Sequence, residues 1–249
     1  TLSMQDNVLP LTATLCKYKG EISIKQLLLF IENPTVYKTE LADFVYNRLY
    51  EKYIEPFYVL EEIKKDTNYL SNILHTIETT TLGAASAEDG KIRTGFAIMA
   101  NMCLLIETLQ SFRYGLRSSK DINLQVFNSF FSEPNTISVF NKLKCNELED
   151  RKEGFYSCVR CGILHQGETT KGWMIHPKFE KALNPKERTI NAQKFLSMMR
   201  AVLANYKYEL IHADLSSQLW NNYLLKLHTL IQNCELPTEI VKLRNWNKK

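Results

Sequence analysis

A stripe of apolar residues near the middle of this chain constrains its fold more than any other feature of the sequence. Its members follow one another in alternating steps of four and three residues: Ile98, Met102, Leu105, Leu109, Phe112 and Leu116. This spacing places all six side chains on one face of an α-helix. A long helix with a single apolar stripe packs against other helices at a shallow crossing angle. The stripe therefore predicts a helical bundle.

Other stretches repeat apolar residues at helical spacing. They run over residues 41–53, 61–76, 127–131, 195–206 and 219–231. Residues 140–166 are predicted to form one more helix, and residues 173–188 an irregular segment with room for one short β-hairpin. With only nine Gly and seven Pro in 249 residues, long helices are favoured over a turn-rich β architecture. We therefore predict an all-α fold, a four- or five-helix bundle with an N-terminal helical extension.

The domain boundary is predicted in a small, polar stretch over residues 79–90. Three threonines are followed there, after Leu82, by a run of Gly, Ala, Ser, Glu and Asp, a composition typical of a linker. We expect residues 1–82 to form the helical extension and residues 91–249 to form the bundle.

Net charge and hydropathy limit the classes of protein to which the chain can belong. The chain has 31 Lys and Arg against 27 Asp and Glu, a formal net charge of +4, which permits nucleic-acid binding without demanding it. No apolar run approaches the roughly 20 residues that cross a bilayer, and no secretory signal is visible. We therefore expect a cytoplasmic protein with no membrane contact.

The six cysteines are expected to be reduced thiols. Cys158 and Cys161 form the one Cys-x-x-Cys of the sequence. A zinc site needs four ligands, and no second cysteine pair or histidine pair stands at ligand spacing. The sequence therefore predicts no metal site and no cofactor.

A cation and an imidazole stand five residues apart in the stretch Arg-Cys-Gly-Ile-Leu-His over residues 160–165. The guanidinium of Arg160 offers a planar fork of donors that suits phosphate, and the imidazole of His165 can give or take a proton near neutral pH. Together they suffice for cutting a phosphodiester without a metal. The other interpretation is a buried arginine at a helix end and a core histidine. On an α-helix five residues turn by about 140°, so the two side chains of one chain diverge.

The flanks of this pair resemble the signature helix of the HEPN superfamily of small all-helical domains. The family pattern is Arg, four to six residues and then His, which Arg160 and His165 match. The resemblance also covers Phe155 and the tail Thr-x-x-Gly-Trp-x-Ile that begins at Thr169, and it extends more loosely over residues 95–231. It implies a HEPN-like bundle for the second domain.

The resemblance also implies an activity, that of a metal-independent endoribonuclease that works as a homodimer with the motif at the interface. Arg160 would stabilise the phosphate charge and His165 would transfer the proton, so that attack by the 2′-hydroxyl leaves a 2′,3′-cyclic phosphate. Candidate auxiliary groups are Cys161, at a position that is often polar in the family, and Glu168. Because the superfamily includes non-catalytic domains, an RNA-binding or protein-interaction scaffold is the alternative.

Basic residues follow the motif and are predicted to contact RNA: Lys171, Lys178, Lys186 and Arg188. A solvated charged loop is the other interpretation of these residues. An active enzyme of this type would endanger its own cell. The expected setting is therefore prokaryotic defence or a toxin–antitoxin system, with an antitoxin or a larger defence complex as a partner.

Overall fold

The computed structural model of the chain describes residues 22, 24–58, 94–134, 137–144 and 152–234. Within these ranges the fold is mainly helical, as predicted. The α-helices are α1 (Ile24–Glu32), α2 (Lys38–Tyr53), α3 (Gly95–Arg113), α4 (Asn123–Ser132), α5 (Gly162–Gln166), α6 (Ala192–His212) and α7 (Gln218–Cys234). A 3-10 helix covers Ser138–Leu143, and a π-helix covers Tyr156–Cys161 immediately before α5. Three two-residue strands are β1 (Met174–Ile175), β2 (Leu183–Asn184) and β3 (Thr189–Ile190).

Helix α3 is the helix predicted from the four-and-three stripe. The five stripe members from Ile98 to Phe112 are at most 1% exposed. The helix ends at Arg113, because Gly115 has a positive φ of 65° that breaks the helical path. The sixth member, Leu116, therefore lies beyond the helix and is half-buried. By length and composition α3 is apolar enough to cross a membrane, but 56% of its apolar window is buried within the protein, which makes this weak evidence for a span.

The chain divides into two compact units, each assembled from separate stretches of sequence. In the described part of the chain, the first unit contains residues 22, 24–49, 107–126 and 203–234. The second contains residues 50–58, 94–106, 127–134, 137–144 and 152–202. The predicted linker over residues 79–90 and the predicted helix over residues 61–76 lie outside the described residues. The division into residues 1–82 and 91–249 therefore stays a prediction.

The first unit is held together by two buried aromatic side chains of α7. The Trp220 indole donates a hydrogen bond to the carbonyl oxygen of Leu210 in α6 at 2.9 Å. The Tyr223 hydroxyl donates one to the carbonyl oxygen of Leu41 in α2 at 2.5 Å. Both rings are fully buried, so each combines apolar burial with a satisfied polar end. The N-terminal helix α2 thus packs with the two C-terminal helices.

The second unit has a core of phenylalanines. Its six members are at most 1% exposed: Phe127, Phe130, Phe131, Phe140, Phe155 and Phe195. Their rings lie 5.2–6.3 Å apart in stacked, tilted and edge-on pairs. Burial of each side chain stabilises the fold by about 1.5–3 kcal/mol. Because Phe155 stands directly before the π-helix, this core fixes the segment that carries the Arg–His pair.

The segment after α5 forms the predicted hairpin and one strand more. Strands β2 and β3 pair antiparallel, and β1 pairs with β3 in parallel, so that the strand order is β1-β3-β2. The backbone N–H groups of Met174 and His176 donate to the carbonyl oxygens of Arg188 and Ile190, each at 2.8 Å. A strand of two residues has too little alternation to be recognised in the sequence.

The prediction of a single helix over residues 140–166 is wrong, because the segment is interrupted and contains more than one type of helix. Its first part is a 3-10 helix that ends at Leu143, and Lys144 has an extended backbone. Residues 145–151 lie outside the described part of the chain. The motif stretch is π-helical up to Cys161 and α-helical from Gly162. Apolar spacing cannot separate these helix types in so short a stretch.

Candidate functional site

The Arg–His pair lies across a change of helix type. Arg160 is in the last turn of the π-helix, and His165 is in the last turn of α5. In a π-helix the backbone hydrogen bonds join residues five apart, a geometry that is rare and that occurs frequently at functional sites. The predicted divergence of about 140° between the two side chains assumed a uniform α-helix. Because the first part of the stretch is π-helical, that angle does not apply to it.

Arg160 is half-buried and makes a cation–π contact with an aromatic ring four residues earlier. Its guanidinium carbon lies 5.7 Å from the centroid of the Tyr156 ring. The Tyr156 ring in turn meets Phe127 edge-on, with the centroids 5.3 Å apart. A cation–π contact does not itself use the in-plane N–H donors with which a guanidinium binds oxyanions. The phenylalanine core of the second unit therefore supports the Tyr156 ring that contacts Arg160.

His165 is exposed, and its imidazole makes no hydrogen bond or ion pair with any other residue that the structure describes. The interpretation of the pair as a buried arginine and a core histidine is therefore wrong for the histidine. Next to it, Leu164 is a large apolar side chain with 37% of its surface exposed. The last turn of α5 thus offers a titratable group and an apolar group to the outside.

The chain turns sharply after His165 because Gly167 adopts the left-handed conformation, with φ 75° and ψ 3°. Its N–H donates to the carbonyl oxygen of Ile163 at 3.2 Å, the hydrogen bond of an αL cap. Gly167 therefore ends α5.

The loop after Gly167 folds back against the motif helix at Gly162. A Cβ atom added to Gly162 would lie only 2.5 Å from the carbonyl oxygen of Glu168. The Glu168 N–H donates to the carbonyl oxygen of Gly162 at 3.4 Å, and the Thr170 N–H donates to that of Cys158 at 3.0 Å. Gly162 is the residue that allows this approach, because any side chain would push the loop away.

The Thr-x-x-Gly-Trp tail locks the same loop. The Thr169 hydroxyl donates to the carbonyl oxygen of Trp173 at 2.6 Å. The Trp173 indole N–H donates to the carbonyl oxygen of Glu153 at 3.0 Å, and its buried ring meets Phe155 edge-on at 6.0 Å. Gly172 adopts a positive φ of 77° that completes the turn. The tail residues therefore have a structural task, which is to hold the loop on the motif helix.

The predicted auxiliary groups differ in environment. Cys161 is a half-buried free thiol and Glu168 is exposed. Cys158, the other member of the Cys-x-x-Cys, is buried, and its thiol donates to the carbonyl oxygen of Lys152 at 3.4 Å. Among the residues that the structure describes, no group of three or more His, Cys, Asp or Glu is placed to hold a metal ion.

The four predicted RNA-contacting residues also divide into two kinds. Lys171, Lys178 and Lys186 are exposed. The Arg188 guanidinium instead donates to Glu153 Oε2 at 2.7 Å and to the carbonyl oxygen of Lys171 at 2.5 Å. Arg188 therefore ties the start of β3 to the loop and to the beginning of the motif helix, a role that the sequence did not reveal.

A groove beside the small sheet was not predicted. It is largely open to solvent and has a volume of about 470 Å³. Among the residues that line it are Met174, Lys178, Phe179, Glu180, Lys181 and Glu187. The predicted RNA contact Lys178 is one of these, whereas Lys171, Lys186 and Arg188 are not. No motif indicates such a groove, because irregular backbone between β1 and β3 brings its residues together.

Comparison of the chain with protein-family models, with curated proteins and with solved structures found no match. Function is therefore inferred from the residues of the site and their geometry, since a helical fold alone carries no activity.

Proposed function

We propose that this protein is a metal-independent endoribonuclease of the HEPN type, and that Arg160 and His165 are its catalytic residues. The observation that carries the proposal is the contrast within the motif. The buried residues around it are engaged in holding the loop, whereas His165 is exposed and has no partner among the described residues. An exposed imidazole five residues after a ring-supported guanidinium is suited to proton transfer next to a bound phosphate.

RNA carries its own nucleophile, the 2′-hydroxyl beside the scissile phosphate. His165 transfers the proton in this reaction, a contribution typically worth about 10²–10⁴-fold in rate. Arg160 holds the phosphate and stabilises the negative charge that develops on it. The 2′-oxygen displaces the 5′-oxygen of the next nucleotide, which leaves as a hydroxyl after protonation. The products are a 2′,3′-cyclic phosphate and a 5′-hydroxyl, and DNA is not cleaved.

A homodimer completes this site in our proposal. A two-fold axis beside α5 would bring two copies of the motif together across one interface. Leu164, adjacent to His165, is 37% exposed and would be covered in such an interface. An antitoxin or a larger defence complex would restrain the enzyme in its own cell.

The decisive experiment is cleavage of labelled single-stranded and structured RNA in the presence of EDTA. His165→Ala and Arg160→Ala are each expected to lower the rate by at least about 10²-fold, with loss of the cyclic-phosphate product. His228→Ala and Arg117→Ala are the matched controls, since both residues are exposed and lie in the first unit. They are expected to cleave at the wild-type rate.

Three results would contradict the proposal. Equal cleavage by all variants would point to another site or to a contaminating nuclease. Cleavage of DNA would exclude attack by a 2′-hydroxyl. Binding of RNA by a folded dimer that never cleaves it would favour the alternative function, a HEPN-like RNA-binding or protein-interaction scaffold.

The cation–π contact between Arg160 and Tyr156 permits a milder test of the guanidinium's role than removal of Arg160. Tyr156→Leu keeps an apolar side chain but removes the ring face that lies 5.7 Å from the guanidinium carbon. A less restrained Arg160 stabilises the transition state less well, so we expect kcat to fall about tenfold while KM changes little. A rise in KM at constant kcat would show that the ring serves substrate binding instead.

A further inference from the structure

The groove beside the small sheet contains charged side chains of both signs that are not paired with each other. Lys178 and Lys181 lie in the segment between β1 and β2, and Glu187 lies just before β3. Glu180 is the second carboxylate of the lining. None of these four charged groups makes a hydrogen bond or an ion pair with another residue of the described ranges. Their charges are therefore available to a ligand.

The groove also has an apolar part, and His176 and Thr189 complete its lining. Met174 exposes 52% of its surface, and the Phe179 ring is half-buried beside it in the same lining. Flat apolar surface of this kind accepts a stacked nucleobase, because every base has a π-face. An aromatic ring and neighbouring lysines are the usual elements of a surface that binds single-stranded RNA.

The carboxylates decide which ligand fits best. A phosphate group alone would be repelled by the two glutamates, whereas a nucleotide has a phosphate at one end and N–H donors on its base at the other. The backbone of Glu187 makes two hydrogen bonds, whereas its carboxylate is exposed: the N–H donates to Asn184 Oδ1 at 3.4 Å, and the carbonyl oxygen accepts from the Thr189 hydroxyl at 2.9 Å. A carboxylate on fixed backbone can discriminate between bases by accepting from an amino group.

The groove is joined to the motif helix through the locked loop. Met174 follows Trp173, whose indole donates to the carbonyl oxygen of Glu153 at the start of the motif segment. Arg188, which follows Glu187, forms an ion pair with the same Glu153 at 2.7 Å. The two ends of the groove segment are thus fixed to the helix that carries Arg160 and His165.

We propose that this groove binds one unpaired ribonucleotide of the RNA substrate, with Lys178 and Lys181 on its phosphates and Glu187 on an amino group of its base. This inference rests on the proposed ribonuclease function, to which it adds a determinant of sequence preference. Cytosine presents an amino donor at the position where uracil presents a carbonyl acceptor. The groove therefore favours cytosine over uracil.

The test is equilibrium binding of fluorescently labelled C8 and U8 RNA to the full-length His165→Ala protein, in which cleavage is expected to be lost. We expect C8 to bind about tenfold more tightly than U8. Glu187→Gln is expected to abolish this difference, because an amide can both donate and accept. Lys178→Ala combined with Lys181→Ala is expected to weaken the binding of both RNAs equally. The slope of the logarithm of the binding constant against the logarithm of salt concentration should become shallower by about 0.7 per lost phosphate contact. Glu55→Gln and Lys142→Ala, exposed changes outside the groove, serve as controls.

The outcomes separate this inference from the proposed activity. A preference for C8 that disappears in Glu187→Gln supports the groove, even if the wild-type protein proves unable to cleave RNA. Equal binding of C8 and U8, or a preference that survives Glu187→Gln, overturns the groove assignment while leaving cleavage by Arg160 and His165 intact. Unchanged RNA binding in the double lysine variant also overturns it, and would leave the groove to a ligand other than RNA.

Discussion

Replacement of Gly162 by alanine tests the close packing of the loop on the motif helix. Gly162 has helical backbone angles, φ −56° and ψ −54°. Helix propensity alone therefore predicts that alanine stabilises the protein by about 0.5–1 kcal/mol. The structure predicts the opposite sign, because the new Cβ would lie 2.5 Å from the carbonyl oxygen of Glu168.

The magnitude follows from the contacts that must give way. Overpacking of a well-filled site costs about 1–3 kcal/mol. The obstacle here is backbone, so the loop has to move, and the hydrogen bond from the Thr170 N–H to the Cys158 carbonyl is lost at a cost of about 0.5–1.5 kcal/mol. After the gain in propensity is subtracted, we expect Gly162→Ala to lower the free energy of unfolding by roughly 1–3 kcal/mol.

Urea unfolding followed by far-ultraviolet circular dichroism measures this change as a shift in the midpoint at constant slope. Gly167→Ala is the matched control. Its Cβ would meet nothing within 4 Å, and its cost of about 1–2 kcal/mol comes from the φ of 75° alone. A Gly162→Ala protein as stable as the wild type, or more stable, would refute the close approach of loop and helix.

Three further changes test other contacts. Trp173→Phe keeps a ring against Phe155 but removes the indole hydrogen bond, and should cost about 1–2 kcal/mol in urea unfolding. Tyr223→Phe removes the hydrogen bond to the Leu41 carbonyl and should cost about 1–1.5 kcal/mol. Tyr206→Phe removes a buried hydroxyl with no hydrogen-bond partner among the described residues and should leave stability unchanged or raised. Burial raises the pKa of Tyr206 and Tyr223, because the fold disfavours the charged phenolate. Their contribution to the free energy of unfolding is therefore complete below about pH 10 and is lost as the pH rises further. Tyr206→Phe should therefore flatten the alkaline fall in the urea midpoint.

The helices could be predicted because local periodicity determines them. Helix α3 was predicted from a stripe whose members, Ile98 to Phe112, are buried as expected. Likewise, α2, α6 and α7 contain the apolar residues that repeat at helical spacing. The pattern residues of α2 and α6 are buried, as are Trp220, Tyr223 and Leu227 of α7, so pattern and structure largely share one cause.

The remaining features depend on approaches between atoms distant along the chain or on backbone geometry without a sequence signature. Nothing in the stretch around Gly162 shows that the Glu168 carbonyl will lie against it. Arg188 looked like a free cation for RNA, yet the chain folds so that Glu153 and the Lys171 carbonyl occupy it. The groove is likewise formed by irregular backbone between β1 and β3. Sequence spacing cannot predict such contacts, because turns decide them.

The structure gives a folding role to several residues that carry the resemblance to the HEPN signature. The Gly-Trp tail made that resemblance more specific, yet Trp173 is buried and hydrogen-bonded in a role that folding alone explains. Gly162 similarly serves the approach of the loop. These residues would be required in a scaffold as much as in an enzyme, so their presence does not favour catalysis. His165 is different, because it is exposed and engaged with no other described residue, and folding gives no reason for an imidazole there. Under the proposed function, enzyme and scaffold therefore differ in what His165 does with bound RNA.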